Sequence, residues 1–392
     1  MTIHTAHASR PLSVYIHVPF CVQKCHYCDF CSFPKMTEDV KRRYVREICR
    51  RIEAVRDTVA YGEYRVQTVY FGGGTPTLLD PHDFSEMLLA IRSVFPIEWG
   101  AEITAECNPG TVDGAYLSAL YDAGVNRLSI GLQSSNREEL RQLGRIHTAE
   151  DFFRCVKDAR AAGFSNLSAD VMFGIPEQTC ESFRETLRAV CDAGVDHVSA
   201  YGLKIEEGTV FGRHPERLRL PDEDAEEEMY RDACEILLQH GLSRYEISNF
   251  ARTGYYSQHN YAYWTLQEYL GFGVAAHSYF RGARIGNSRD LYAFLRGEDI
   301  TESREEISRA ESIAEYVMLG MRLACGVRDT EFDAFFGEAG LFDRLYREKM
   351  KPYMDLGLIC TESDGIRTNY AFTTEGFRVS NYILSEILPA QT

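Results

Sequence analysis

The chain has 392 residues, enough for one large α/β domain and a smaller second one. Hydrophobic residues make up 45% of the chain and charged residues 26%, which is the profile of a soluble globular protein. The formal net charge of −16 disfavours nucleic-acid substrates, which need a basic surface, although a local basic patch is compatible with this charge.

The N-terminal stretch MTIHTAHASRPLSVYI lacks the basic start and the apolar run of a signal peptide. No apolar run in the chain reaches the ~18 residues that a membrane span needs. We therefore expect a cytoplasmic protein that is not integral to a membrane, and we expect most of its 12 cysteines to be reduced.

The first half of the chain alternates β-rich runs with helical stretches. Strands are predicted at 13–18, 67–71, 102–106, 127–131, 166–172 and 197–203, and helices at 37–57, 84–94, 114–123, 137–162 and 181–193. This alternation predicts parallel strands joined by right-handed crossovers. Six such units are too few for an eight-stranded barrel. They fit an open, partial (β/α)6 barrel better than a flat sheet, although the pattern alone does not decide between the two.

The second half of the chain follows a polar, turn-rich junction at 213–224. A helix is predicted near 225–240, a strand at 243–248 and an aromatic-rich stretch at 255–280. From about 305 the pattern is mostly helical and ends with short strand signals near 356–373; it resembles a winged helix, but its acidity argues against DNA. We expect a barrel domain at 1–222, an extension at 223–304 and a smaller, mostly helical module at 305–392.

Unusual polar residues follow the predicted strands, where parallel barrels gather their functional groups. A cysteine-rich loop follows the first strand. The remaining strand ends carry GGGTPT (72–77), Glu106, Gln133, Asp170 and Lys204. Any one of them could be an ordinary loop residue, but the set as a whole predicts an active-site mouth.

The stretch PFCVQKCHYCDFC (19–31) contains Cys21, Cys25, Cys28 and Cys31. A structural zinc site usually takes two cysteine pairs separated by a longer loop, and no distant second pair is present. The spacing C-x3-C-x2-C of the first three cysteines can instead bind three irons of a [4Fe–4S] cluster. The fourth iron would then be open to a small ligand. Zinc stays as the alternative.

The same loop resembles that of the radical S-adenosylmethionine (SAM) superfamily, in which an aromatic residue, here Tyr27, precedes the third cysteine. The resemblance implies that the amino and carboxylate groups of SAM chelate the open iron and that an electron from the cluster can cleave SAM. The glycines of GGGTPT agree with this, because they let backbone groups approach a ligand closely.

Further motifs resemble, in this order, the anaerobic coproporphyrinogen III oxidase family: YIHVPFC, YFGGGTPT, AECNPG, LSIGLQS, LGRIH, DVMFGIPEQT and YEISNFA. The resemblance runs from about residue 12 to about 290, and more loosely through the C-terminal module. It implies SAM contacts from Tyr15, Tyr27, Gly73, Gly74, Thr75, Glu106, Gln133, Arg145, Asp170 and Lys204.

The family has two branches, an enzyme that decarboxylates coproporphyrinogen and a heme-carrier branch called HemW. HNYAYW (259–264) matches the HNxxYW signature of the carrier branch, which implies that His259 ligates heme iron and that Tyr263 and Trp264 stack on the porphyrin. A buried histidine among core aromatics is the structural alternative. In addition, only 20 residues precede Cys21, whereas the oxidase branch has a longer N-terminal segment, and Phe30 stands where that branch has a fourth cysteine.

Two residues depart from the carrier pattern. Cys31 stands where that branch commonly has asparagine, and we expect it to be a bystander thiol rather than a heme, metal or redox site. His277, in YLGFGVAAHS, is a second candidate for a heme contact, although a hydrogen-bonded histidine in a turn fits it equally well.

The resemblance therefore predicts a heme chaperone that holds a [4Fe–4S] cluster and SAM and passes heme to an unidentified acceptor protein. Coproporphyrinogen oxidation is the alternative, and a radical-SAM enzyme acting on nucleic acid is disfavoured by the charge. The sequence leaves open whether SAM is cleaved and whether the chain forms oligomers.

Overall fold

The computed structural model describes residues 9–388. The first eight residues lie outside the described residues. They are the first half of the N-terminal stretch that lacks the pattern of a signal peptide. The strands are β1 (Arg10–Val18), β2 (Phe20–Cys21), β3 (Phe33–Pro34), β4 (Tyr64–Gly73), β5 (Ile97–Cys107), β6 (Arg127–Gln133), β7 (Asn166–Phe173), β8 (His197–Gly202), β9 (Ser243–Arg244), β10 (Asn249–Ala251), β11 (Tyr269–Phe272), β12 (His277–Phe280), β13 (Ala283–Asn287), β14 (Thr301–Glu306), β15 (Val327–Arg328), β16 (Ile359–Ser363) and β17 (Thr368–Phe372).

The helices connect these strands, cover the sheet and form most of the C-terminal part. They are α1 (Glu38–Ala54), α2 (Pro81–Val94), α3 (Gly114–Asp122), α4 (Arg137–Gln142), α5 (Ala149–Ala162), α6 (Cys180–Asp192), α7 (Val210–Arg213), α8 (Glu223–Gln239), α9 (Gln258–Trp264), α10 (Leu291–Leu295), α11 (Arg309–Gly320), α12 (Asp329–Phe336), α13 (Glu348–Asp355), α14 (Thr374–Arg378) and α15 (Ser380–Ile387). Within residues 9–388, we find no helix with the length and apolarity that crossing a membrane requires.

One sheet of 12 strands organises the barrel part, in the order β14-β13-β12-β11-β1-β4-β5-β6-β7-β8-β10-β9. The six predicted strands, β1 and β4 to β8, pair in parallel as expected. A further parallel strand, β11, extends them at β1, and antiparallel strands follow at both margins. The sheet is open, because its order begins at β14 and ends at β9.

The helix predicted at 137–162 is two helices, α4 and α5. The second begins at a capping box: the hydroxyl of Thr148 accepts the Asp151 N–H, and the Asp151 carboxylate accepts the Thr148 N–H. The loop between the two helices carries Arg145, so the break brings that side chain to the strand ends. The strand expected at 243–248 is also shorter and covers only Ser243–Arg244.

The chain from α11 onward packs around a core of its own. Its buried residues include Val317, Phe332, Tyr346 and Ile383, and its sheet has the order β15-β17-β16. It also contacts the barrel part: the Ala324 N–H donates to the carbonyl of Tyr245 at 2.9 Å. The separate core agrees with a module near 305–392, while the three domain bounds stay a prediction.

Candidate cofactor site

The carboxyl ends of β4 to β8 surround a cavity of about 500 Å³. This is within the usual size range of small-molecule sites. The structure brings nine of the ten predicted SAM contacts to its wall: Tyr27, Gly73, Gly74, Thr75, Glu106, Gln133, Arg145, Asp170 and Lys204. Tyr15 lies behind that wall, where its hydroxyl pairs with Nδ1 of His17 at 2.9 Å and its ring stacks on Tyr70.

Cys21, Cys25 and Cys28 line the same cavity, but Cys31 does not. Cys31 is 8% exposed and belongs to the hydrophobic core, and its carbonyl pairs with Nε2 of His17 at 2.8 Å. The four thiols thus divide into three at the cavity and one in the core. Across residues 9–388, no three or more His, Cys, Asp or Glu side chains are grouped as the ligands of one metal ion.

A chain of hydrogen bonds links two of the three cavity cysteines. The hydroxyl of Thr75 points to Sγ of Cys21 at 3.8 Å and accepts Nδ2 of Asn108 at 2.6 Å. Oδ1 of Asn108 accepts Nη2 of Arg145 at 2.6 Å, and Nη1 of Arg145 points to Sγ of Cys25 at 3.6 Å. Asn108 was not predicted as a site residue. Its only signal in the sequence is its place in AECNPG, two residues after Glu106.

The glycine loop lets the backbone approach the cavity without side chains in between. Gly73 has φ +106°, and a Cβ there would lie 2.3 Å from the ring of His17. A Cβ on Gly74 would lie 2.6 Å from the carbonyl oxygen of Phe20. Neither position accommodates a larger residue, which explains the glycines by geometry.

Glu106 and Asp170 form the anionic part of the cavity. Glu106 accepts the Tyr70 hydroxyl and the Gly73 N–H, both at 3.0 Å. Burial, and then the charge of Asp170, raises the pKa of Glu106 to about 7. Burial also raises the pKa of Asp170, which accepts the Ser129 hydroxyl at 3.0 Å. Two buried carboxylates near each other favour a cationic ligand, because a positive charge stabilises both ionised forms.

Three of the lining residues differ in what they can offer a ligand. Gln133 ends β6 with a φ of +70°, next to a shift in the register between β6 and β7. Its side chain therefore does not follow the alternating pattern of the preceding strand residues. The guanidinium of Arg145 is held by protein acceptors, including the carbonyl of Gly131 at 2.7 Å. Lys204 is at the mouth: its side chain is 82% exposed and pairs with Glu206 at 2.8 Å.

His259 is 1% exposed, and both of its ring nitrogens have partners. Nδ1 pairs with the Thr68 hydroxyl and Nε2 with the Tyr263 hydroxyl, each at 2.8 Å. Burial lowers the pKa of His259 to about 3, so the ring is neutral. Neither nitrogen is free for heme iron in this arrangement. The axial role of His259 stays a prediction that requires the loss of one hydrogen bond.

The other predicted heme residues lie closer to the surface. Trp264 and Tyr263 are half-buried, and Tyr263 packs edge-on against Tyr269 at 4.6 Å between ring centroids. His277 is exposed on β12. The HNYAYW segment also reaches the cofactor cavity, because Asn260 lines it.

Comparison with known proteins shows the family to which the chain is similar. The family model of the Radical SAM superfamily matches residues 15–190. The heme chaperone HemW of Bacillus subtilis (strain 168) is 34% identical over 96% of this chain and 100% of that protein. HemW of Escherichia coli (strain K12) is 36% identical over 88% of this chain and 89% of that protein.

A solved structure gives the corresponding result for the fold. Coproporphyrinogen III oxidase (HemN) from Escherichia coli, a radical SAM enzyme, superposes with a TM-score of 0.82 over 99% of this chain and 92% of that chain. At 23% sequence identity this likeness confirms the predicted radical-SAM fold and does not bear on activity. The chain belongs to the radical SAM superfamily and, within it, to the family of the HemW heme chaperones.

Proposed function

We propose that the chain is a heme chaperone, which binds heme and passes it to an acceptor protein on a scaffold that holds a [4Fe–4S] cluster and SAM. The observation that carries this proposal is the identity with HemW chaperones over nearly the whole length of both chains. We further propose a cytoplasmic location, in which cysteines such as the 12 of this chain are kept reduced. The acceptor is unidentified, and nucleic acid is not proposed as a partner.

The residues at the cavity fit the two cofactors of the superfamily. Cys21, Cys25 and Cys28 supply three thiols to the cavity lining, and three is the number of protein ligands that a [4Fe–4S] cluster with one open iron takes. Burial raises the pKa of Cys28 to about 11, so cluster binding would release protons from this loop. When bound, the cluster and SAM supply one-electron chemistry, which the protein orients and shields.

The remaining wall residues would hold SAM. The carboxylates of Glu106 and Asp170 suit its positive charge and its ribose hydroxyls, and the backbone at Gly73 and Gly74 leaves room for close approach. Tyr27 could flank the adenine. Arg145 would act on the cysteine loop, because its guanidinium already joins Cys25 to Asn108.

Heme requires a flat apolar surface and an axial donor. Tyr263 and Trp264 supply half-buried aromatic surface near β11. The axial donor would be His259, once one of its hydrogen bonds to Thr68 or Tyr263 is lost, or the exposed His277. Oxidation of coproporphyrinogen is the alternative function, which the sequence motifs shared with the oxidase family leave in place.

The test is a pair of anaerobic incubations of the reconstituted protein, one with heme and one with coproporphyrinogen. We expect about one heme per chain by absorption titration and no protoporphyrinogen from the second tube. A transfer step should follow, in which heme-loaded protein gives up its heme to an apo-cytochrome faster than free heme binds. Turnover of coproporphyrinogen would overturn the chaperone proposal, and so would a failure to bind heme.

A further inference from the structure

Asn108 connects two of the three cavity cysteines through its neighbours Thr75 and Arg145. Its Nδ2 donates to the Thr75 hydroxyl and its Oδ1 accepts Nη2 of Arg145, each at 2.6 Å. The Thr75 hydroxyl donates to Sγ of Cys21 at 3.8 Å. Nη1 of Arg145 donates to Sγ of Cys25 at 3.6 Å. One amide side chain thus holds a hydroxyl against the first thiol and a guanidinium against the second.

The chemistry of these partners fixes the orientation of the Asn108 amide. A guanidinium has only donors, so the amide atom that faces Arg145 must be the oxygen, and the NH2 group therefore faces Thr75. Because the Thr75 oxygen accepts this N–H, its own hydroxyl proton must point away from Asn108. Sγ of Cys21 is the acceptor that this proton meets. The direction of each hydrogen bond toward a cysteine thus depends on Asn108.

The backbone on both sides leaves room for this arrangement and supports it. The carbonyl of Asn108 accepts the Thr111 hydroxyl at 2.7 Å and the Thr111 N–H at 3.3 Å, which fixes the turn after β5. The carbonyl of Gly131 accepts Nη2 of Arg145 at 2.7 Å. A Cβ on Gly131 would lie 2.9 Å from that Nη2 and 3.3 Å from Oδ1 of Asn108, so a side chain there would crowd the pair.

We propose that Asn108 is a positioning residue for the iron–sulfur cluster and raises its reduction potential by holding Arg145 and Thr75 against two of the cluster cysteines. Hydrogen bonds to the sulfurs are among the factors that set the potential of such clusters. Reduction adds one electron to the cluster and breaks no bond. A guanidinium and a hydroxyl proton directed at the sulfurs stabilise the added negative charge, so the cluster is easier to reduce. The proposal rests on the cluster of the proposed function and is independent of heme.

The test is the midpoint potential of the cluster in the anaerobically reconstituted protein, measured by magnetic resonance with dithionite as the source of the electron. SAM is left out, so that the SAM contacts implied for Thr75 and Arg145 do not contribute. At the wild-type midpoint, Asn108→Ala should hold roughly tenfold less reduced cluster, the effect of one charge-assisted hydrogen bond, which is a shift of about 59 mV toward negative potential.

Two substitutions of Thr75 test the hydroxyl by itself. Thr75→Val removes the hydroxyl that donates to Cys21 and should shift the potential in the same direction by less, because the lost donor is neutral. Thr75→Ser keeps the hydroxyl and should restore the wild-type potential. A purely structural role of Thr75 would not separate the two variants by potential.

Asn126→Ala is the matched control. Asn126 also joins two groups through its amide: Oδ1 accepts the Ile103 N–H and Nδ2 donates to the Ala101 carbonyl, both at 2.8 Å. It lies just before β6, at the end of the strand opposite to the cysteine loop. We expect Asn126→Ala to lower the melting temperature and to leave the potential unchanged.

Iron and sulfide analysis of each variant shows whether the cluster is intact. An intact cluster with the wild-type potential in Asn108→Ala would overturn the proposal. If Asn108→Ala assembles no cluster, the Thr75 pair decides, and equal potentials of Thr75→Val and Thr75→Ser would overturn it. A wild-type protein without a cluster would overturn both this proposal and the cofactor part of the proposed function. A wild-type protein that holds the cluster but binds no heme would contradict the chaperone proposal alone.

Discussion

Cys31 lies three residues after Cys28 and belongs to a different environment. Its side chain packs in the hydrophobic core, and burial raises the pKa of its thiol, whereas Cys21, Cys25 and Cys28 line the cavity. The sequence predicts this division from the C-x3-C-x2-C spacing alone. The spacing could not show the role of Cys31 itself, because the sequence does not reveal whether a cysteine side chain packs in the core or faces a ligand.

We expect Cys31→Ser to keep the full iron content of the reconstituted cluster and Cys28→Ser to lose it. The reason is that only Cys28 faces the cavity, while Cys31 contacts core residues. Iron and sulfide analysis with the absorption spectrum of the cluster would measure this. Loss of the cluster in Cys31→Ser with retention in Cys28→Ser would show that the ligand set is wrong.

Helix α9 carries the predicted heme residues and also contacts the residues that support the cofactor cavity. His259, its second residue, is fixed by Thr68 and Tyr263, and its ring stacks on Tyr70 with 5.0 Å between centroids. Tyr70 in turn donates to Glu106 in the cavity. The motif HNYAYW therefore supports the cofactor cavity from behind, in addition to any contact with heme.

The parallel strands could be predicted from the sequence because short β-rich runs alternate with helical stretches, as at 67–71, which lies within β4. The polar strand ends followed from the topology, since the carboxyl ends of parallel strands meet at one edge. Strand β11 was hidden in an aromatic-rich stretch without a clear period. Tyr70 and Asn108 were missed because their roles depend on hydrogen bonds between residues distant in sequence.

We expect His259→Ala to weaken SAM binding several-fold and to leave the heme absorption band unchanged. The substitution removes the ring behind Tyr70 and so loosens the hydroxyl that holds Glu106, at a cost of about 1 kcal/mol. The response of the reduced cluster's magnetic resonance spectrum to SAM measures the first effect, and a heme titration measures the second. His277→Ala should show the reverse pattern, because His277 is exposed on β12.

Tyr70→Phe is the variant that tests the same contact as His259→Ala. It keeps the stacked ring and removes only the hydroxyl that donates to Glu106 at 3.0 Å. We expect it to weaken SAM binding to a similar extent, and we expect the double variant to lose little more, because both changes act through the same carboxylate. A shifted heme band in His259→Ala would show that His259 is the axial ligand.

At the scale of the whole molecule, the barrel part and the C-terminal part have separate cores, and an isolated antiparallel bridge between Glu246 and Leu323 joins the two parts. Glu246 is fully buried there. One oxygen accepts the Ser248 N–H at 3.1 Å, and the other has no partner among the described residues. Burial raises the pKa of Glu246 to about 7. The junction of the two parts therefore contains a carboxyl group that is destabilising when it ionises.

The sign of the pH dependence follows from this pKa. The unfolded carboxyl ionises near its usual 4.5 and the folded one near 7, so the native state loses stability as the pH rises between these values. We expect Glu246→Gln to be within about 1 kcal/mol of wild type near pH 5 and to be more stable near pH 8, by up to about 3 kcal/mol. Thermal midpoints of the anaerobic protein at the two pH values would measure the difference. Glu139 is the control, because its buried carboxylate is hydrogen-bonded by Ser134, Gln178 and Ser182, so Glu139→Gln should destabilise the protein at both pH values. An equal effect of Glu246→Gln at both pH values would show that Glu246 does not titrate in this range.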